Sequence, residues 1–389
     1  MIKVLVIVAC VVLISACGGG GGGSGGDVDL GVSQNFSVDD NSSHTLQVTS
    51  LHVDRQAIRT TNSGTFVHAV SYADFDQDGD VDVFISSGDG SENETPSELY
   101  LNDGNDNFTL DSDFFDGSAP GQIHPRKALT GDFNGDGKMD VFVIGHGFDQ
   151  EPFTGEAPYV ILSSGSAFTL GVGLDSFSGF QHGGASADID ADGDIDVFVA
   201  DTSESFFLVN DGAGNFTRDT SRLEGINHSS IFTAELVDVD SDGYVDLLVG
   251  GHEQDGFSTK VLWGDSTGFY SVSKSTTLPA VANNGTVIDI DVADIDHDDN
   301  KDIVLNRTGD GTGTLNDYQG YYIQVVKNTG NRVFADKTSE SFSSGSNSVE
   351  NWFDWIRLQD FNSDGHIDIV VDDSARNLVW YNDGSGNFQ

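Results

Sequence analysis

Cysteine is nearly missing from this chain: two in 389 residues, Cys10 and Cys17. Cys10 falls inside an apolar leader, so an exported chain would keep only Cys17 and could form no internal disulfide. Stability must then come from packing and from what the side chains bind. Long amphipathic helical patterns are also absent, which argues against a helical architecture. Basic residues are the third scarcity, with 17 Lys and Arg against 63 Asp and Glu, for a formal net charge of -46. Such a surface repels nucleic acid and anionic lipid, and six divalent ions would still leave about -34. Salt or divalent cations should therefore favour the compact state.

What is abundant is glycine, 48 residues beside only 6 prolines, in a Val-, Thr- and Ser-rich chain. That composition points to many short strands joined by tight turns. It also holds one device used six times. Residues 74–82 read DFDQDGDVD, and the pattern returns at 132–140, 188–196, 238–246, 294–302 and 360–368. These loops carry 25 of the 63 acids. Carboxylates this dense repel one another unless a cation sits among them. Oxygen ligands at positions one, three and five, a turn glycine at six and a backbone carbonyl at seven describe a Ca²⁺ loop.

Position one is Asp74, Asp132, Asp188, Asp238, Asp294 and Asp360, and position three is Asp76, Asn134, Asp190, Asp240, Asp296 and Asn362. Position five is Asp78, Asp136, Asp192, Asp242, Asp298 and Asp364. The carbonyl at seven belongs to Asp80, Lys138, Asp194, Tyr244, Asn300 and His366. Position nine is Asp82, Asp140, Asp196, Asp246, Asp302 and Asp368. Position twelve is aliphatic throughout (Ile85, Val143, Val199, Val249, Leu305, Val371), which excludes an EF-hand and assigns closure of the shell to position nine. Asn134 and Asn362 remove a charge each, and Asp299 stands where the other loops have glycine. The first, third and fourth loops are the strongest metal candidates.

After each loop comes a short apolar run such as DVFIS or DVFVA, of the kind buried on both faces. About thirty residues later comes an Asn/Asp-Gly hairpin ending in phenylalanine, as at 99–108, 207–216, 261–269, 325–334 and 378–388, with a worn copy at 159–168. Four antiparallel strands in about 55 residues make a propeller blade. The chain here resembles the FG-GAP/VCBS-type β-propellers, the family that includes integrin heads and many bacterial surface proteins. The resemblance covers residues 66–389 and implies an all-β fold with Ca²⁺ in the loops between the first two strands of each blade. Six blades are expected, the last lacking its outer strand and 45–53 supplying it. A seventh blade from 27–65 would be short of residues.

The start of the chain reads as an export signal: Lys3, an apolar core over 4–14, then Ile14-Ser15-Ala16-Cys17. This resembles a bacterial lipobox, with Cys17 as the lipidated residue and the membrane touched only through that lipid. Residues 1–17 are thus signal, 18–43 a glycine-rich tether and 44–389 the propeller. Gly18 is not an inner-membrane retention residue, so an outer-membrane or cell-surface monomer is expected.

Chain direction puts all six calcium turns on one face. The loops before the first strand and after the second share the other, roughly 15–20 Å away at ~3.3 Å per residue. His68, His124, His182 and His228 precede first strands, and His146 and His252 follow second strands. Arg126, Lys127, Arg307 and Trp352 join them, and 86–98, 145–158 and 306–320 are long loops on this side. The imidazoles either cap crowded inner strands or form a site at the channel mouth, as metal ligands or proton carriers. These long loops contain no G-x-S-x-G elbow, H-E-x-x-H helix or phosphate loop. Two functions remain. One is a surface binding or adhesion module for a glycan or extracellular protein, with structural Ca²⁺. The other is a polysaccharide lyase or hydrolase, its base drawn from His68, His124 or His182 and a uronate met by Arg126 or Lys127. Histidine converging with Tyr or Arg within hydrogen-bond reach is the feature that separates them.

Overall fold

The computed structural model describes residues 66–389 apart from 106, 166, 227, 351 and 372–377, with only the backbone at 66–68 and 228. The leader, Cys17, the tether and the strand expected at 45–53 lie outside the described residues. Six antiparallel sheets follow one another along the chain. The first is Phe66–Ala73, Asp82–Gly88, Glu98–Asn102 and Phe108–Leu110, paired in that order from the inner edge outward. Four sheets have four strands, and the fifth adds Asn347–Ser348 beside its third strand; the sixth shows three among the described residues, from Ile356–Gln359 through Asp368–Val371 to Val379–Trp380. The architecture is a six-bladed β-propeller, as the repeat count predicts.

The core is divided among blade interfaces. Val83, Phe84 and Ile85 of blade 1 pack on Val141, Val143 and Ile161 of blade 2, and Leu129 and Phe142 of blade 2 on Val197 and Val199 of blade 3. The same sandwich recurs between blades 3 and 4, 4 and 5, and 5 and 6. Second strands are buried end to end because each lies between two neighbours. Each such aliphatic or aromatic side chain contributes about 1.5–3 kcal/mol. Polar contacts join the inner strands. Asp289 and Asp291 of Thr286–Ala293 accept the amides of Ile356 (3.0 Å) and Leu358 (2.7 Å). Ring closure falls to Arg357, which donates to the Val70 carbonyl at 3.4 Å and stands 4.6 Å over the Tyr72 ring.

Blade 4 departs from the expected hairpin. Phe269 does not open its outer strand; Tyr270–Ser271 pairs in parallel with Leu223–Glu224, and the outer strand is Ser275–Thr277. The reason lies in the turn. Residues 264–269 lack the Asn-Asp-Gly run found at 102–104, 210–212 and 382–384, and a 3₁₀ turn at Val272–Lys274 intervenes. Five inner strands share a feature with no sequence signature, a one-residue bulge at His68, Arg126, His182, Phe232 and Ile288. Each stands six residues before its loop's first Asp. A bulge turns consecutive side chains toward one side, and Arg126, His182 and Phe232 at this position line the channel mouth.

Candidate functional site

The acidic loops fold by one hydrogen-bond scheme. The position-one carboxylate accepts the amide of position six: Asp74 from Gly79 (3.1 Å), Asp132 from Gly137 (2.7 Å), Asp238 from Gly243 (2.8 Å). Position five accepts from position seven, as Asp78 does from Asp80 and Asp364 from His366. Positions four and six are both left-handed, and at four the residues are Gln77, Ala191, Ser241, His297 and Ser363, all near φ +60°, with Gly135 in loop 2. Asp299 sits at φ +67° in the place of glycine, as the sequence requires.

Position nine has a task that spacing alone does not reveal. Asp82 accepts the amides of Phe75 (2.8 Å) and Asn102 (2.9 Å), tying its loop to the end of the third strand. Asp140 binds Phe133 and Ser163 in the same way, Asp246 binds Val239 and Gly264, and Asp368 binds Phe361 and Asn382. Burial pushes Asp82, Asp140, Asp196 and Asp246 up to about 7.

The fit to a metal can be judged from the remaining oxygens. Asp74–Asp76–Asp78, Asp188–Asp190–Asp192, Asp238–Asp240–Asp246 and Asp294–Asp296–Asp302 each bring three carboxylate oxygens within 4.8 Å. Asp74 Oδ1, Asp190 Oδ1 and Asp296 Oδ1 are buried without a hydrogen bond, and burial with the neighbouring carboxylates raises Asp74 and Asp188. An all-oxygen set with inward, unsatisfied charge fits a hard divalent cation. The fifth loop differs, because the Lys327 ammonium lies 2.7 Å from Asp296 and 2.8 Å from Asp302.

The opposite face carries a pocket of about 650 Å³ at the channel mouth. An arc of rings lines it. His124 and His146 stand 4.1 Å apart, His146 stacks on Phe180 at 4.4 Å, and His182 meets Phe232 at 3.9 Å. Phe232 continues to His252 at 5.2 Å, and Tyr318 to Trp352 at 6.4 Å. Burial, then the Arg126 charge, pushes His146 down to about 2 and holds His182 well below its usual range. His252 is also lowered by burial, against the pull of Asp255 and Asp317. With its proton on Nδ1, 3.7 Å from Asp255, His252 accepts the Tyr318 hydroxyl at Nε2 over 2.9 Å. Burial pushes the Tyr318 phenol up to about 12, although 41 % of the residue is exposed. Tyr318 is held at φ +54°, costly for an aromatic residue, by paired backbone bonds across Gly309.

Four of the six sequence-marked histidines therefore converge: His124, His146, His182 and His252. The side chains of His68 and His228 are not described. Trp352 and Arg126 join the pocket, but Arg126 is bound to Asp354 at 2.6 Å. Lys127 does not reach it. The bulge turns its ammonium into the channel, 3.9 Å from Glu235 and 3.8 Å from Asp289. Arg307 is fully buried on Glu253 and Gln324. Among the described residues, the sets that bring three ligating atoms within 4.8 Å are all acidic loops, so His124, His146, His182 and His252 do not by themselves assemble a three-ligand metal centre. Sequence reasoning missed Phe180, Phe232, Tyr318 and Asp354. Phe232 and Asp354 were findable by their offset of six from Asp238 and Asp360, and Tyr318 by its place in the long loop at 306–320.

The family model described as FG-GAP-like repeat matches residues 55–143, 188–249 and 238–305, more than half of the chain. No curated protein sequence matches it. Among solved structures, a lectin of Agrocybe aegerita that recognises non-reducing terminal N-acetylglucosamine is similar at 15% identity and TM-score 0.47, over 83% of this chain and 79% of that one. An exo-β-1,3-galactanase from Clostridium thermocellum is similar at 13% and 0.40, over 83% and 78%. The V. cholerae biofilm matrix protein Bap1 is similar at 18% and 0.37, over 64% of this chain and 37% of that one.

Proposed function

The chain belongs to the FG-GAP-like repeat family, and on that premise we propose that it is an exported, lipid-anchored binding module for neutral glycans. Structural Ca²⁺ sits on one face of the ring and the ligand on the other. The carrying observation is the aromatic and imidazole arc around the mouth pocket. A sugar ring offers an apolar C–H face and a rim of hydroxyls. The rings of Phe180, Phe232 and Trp352 suit the first; neutral His252, the Tyr318 hydroxyl and Asp149 suit the second. Charge selects against a uronate, because Arg126 is already neutralised by Asp354 and Asp149 adds a carboxylate. The strained backbone at Tyr318 favours a role in the site rather than in the scaffold. Bound Ca²⁺ would neutralise the inward carboxylates of the loops and lock their turns. Export and anchoring rest on residues 1–17 and Cys17. A glycan array with and without chelator, followed by calorimetry on Tyr318→Ala, tests the reading. Neutral oligosaccharides should bind, and the variant should lose at least tenfold in affinity; preference for polyuronates, or an unaffected variant, sinks it.

One observation favours the lyase alternative. A neutral imidazole sharing a hydrogen bond with a high-pKa phenol is a base beside an acid, the pair that β-elimination needs. What it lacks is a free cation for the substrate carboxylate. Absorbance of unsaturated product on uronic-acid polymers decides: none is expected.

A further inference from the structure

The ends of the six third strands can be aligned through the amide each gives to position nine. Asn102, Ser163, Asn210, Gly264, Asn328 and Asn382 donate to Asp82, Asp140, Asp196, Asp246, Asp302 and Asp368. The residue just before the donor is Leu101, Leu162, Val209, Trp263 and Tyr381 in five blades, apolar or aromatic each time. In blade 5 it is Lys327. We propose that Lys327 is an internal cation that takes the place of calcium in the fifth loop, so that the ring holds no ion there.

The ammonium bridges position three (Asp296, 2.7 Å) and position nine (Asp302, 2.8 Å), two of the three carboxylates that gather in this loop. Its side chain is only 13 % exposed. The next blade covers it: a Cβ added at Gly386 would come within 2.8 Å of Nζ. A nitrogen cation cannot serve as a ligand, and it withdraws two oxygens from an ion that needs six to eight. For calcium to enter, a lysine held on two sides would have to leave its site.

The arginines near other loops do something else. Arg222 meets one oxygen of Asp190 at 2.9 Å and leaves Asp190 Oδ1 turned inward, as Lys327 leaves Asp296 Oδ1, but its other carboxylate partner is Asp219 and not position nine. Arg332 pairs with Asp240 and, at 2.9 Å, with Asp242, from a side chain 40 % exposed, and does not touch Asp246. Neither bridges positions three and nine. The fifth loop is also the one that lost its turn glycine, to Asp299. An ammonium that offsets one charge suits a loop that carries five acids.

The inference rests on the proposal that the other loops bind calcium, and the test separates the two. The full chain, stripped with chelator, is titrated with Ca²⁺ by calorimetry, and crystals grown in Ca²⁺ are read for anomalous density loop by loop. Lys327→Leu, which copies blades 1 and 2, is treated identically. The wild type should show an ion in the first loop and none in the fifth, and the variant should bind one more Ca²⁺ per chain, seated among Asp294, Asp296 and Asp302. An ion in the fifth loop of the wild type overturns this inference alone, and so does unchanged stoichiometry in a folded variant. Should Lys327→Leu fail to fold, the wild-type density still decides. No ion in any loop of either protein overturns both proposals.

Discussion

Arg126 and Asp354 occupy the same position of their blades, six residues before the first Asp of the loop, and meet across the channel mouth at 2.6 Å. They are 228 residues apart in sequence, and both are nearly buried. The pair cancels the charge that would otherwise make the mouth an anion site, while Trp355 covers the guanidinium at 5.3 Å.

Removing Asp354 should therefore act on stability and on specificity together. Asp354→Asn leaves a buried guanidinium without its counter-charge, a loss of about 3–5 kcal/mol. The freed cation should raise affinity for anionic oligosaccharides about tenfold. The double variant Arg126→Met/Asp354→Leu should recover most of the stability and none of the anion binding. Thermal melts and calorimetry on the three proteins check this; a single variant as stable as wild type would show that the pair carries little.

Acid should weaken the fold through the mouth histidines. Unfolded imidazoles titrate near 6.5, whereas His146 and His182 stay neutral in the native chain far below that. Below about pH 6.5 the unfolded chain takes up protons that the native chain refuses. Stability then falls with falling pH by about 1.4 kcal/mol per unit for each histidine; above 6.5 the effect vanishes. His182→Gln should have a shallower slope between about pH 7 and 5, measured in constant Ca²⁺. Parallel slopes would assign the acid sensitivity to other groups.

Asp299→Gly should stabilise. The residue is held at φ +67° where its counterparts Gly79, Gly193 and Gly243 are unstrained. Relief of about 1 kcal/mol should raise Tm by roughly 2 °C. A lower Tm would mean that the Asp299 carboxylate does work in the loop that its backbone geometry does not show.

The blades were legible because the acidic loops repeat in register, and each loop is a rigid local structure written in nine residues. The mouth was half legible. His124, His146, His182 and His252 could be placed together from chain direction alone, since direction decides which end of a strand a loop occupies. What a bulge does could not be read. It turns Arg126 and Lys127 the same way, so the densest basic cluster in the chain divides between Asp354 at the mouth and Glu235 with Asp289 inside the channel. Phe232 hid among apolar strand residues for the same reason. The second task of Asp82 and its equivalents depends on a backbone amide some twenty residues away, which no local pattern records.

Scaffold and site should fail independently, because the two faces stand at opposite ends of the inner strands. Asp74 is the cleanest probe of the first. Among the described residues, no Lys or Arg pairs with its loop, in contrast to Lys327 in the fifth. Each loop saturated a hundredfold above its Kd contributes about 2.7 kcal/mol. Chelation should lower Tm substantially in the wild type, and Asp74→Asn should reduce the Ca²⁺-dependent part of that difference. Glycan affinity well below Tm should stay within twofold of wild type. Tyr318→Ala should do the reverse: the residue is a strained, part-exposed loop side chain, so stability holds or rises while binding drops. Melts with and without Ca²⁺, and one glycan titrated against both variants at low temperature, separate the cases. If folded Asp74→Asn loses the ligand while Tyr318→Ala keeps it, the metal-bearing face is the one that binds, and the mouth pocket is not the site.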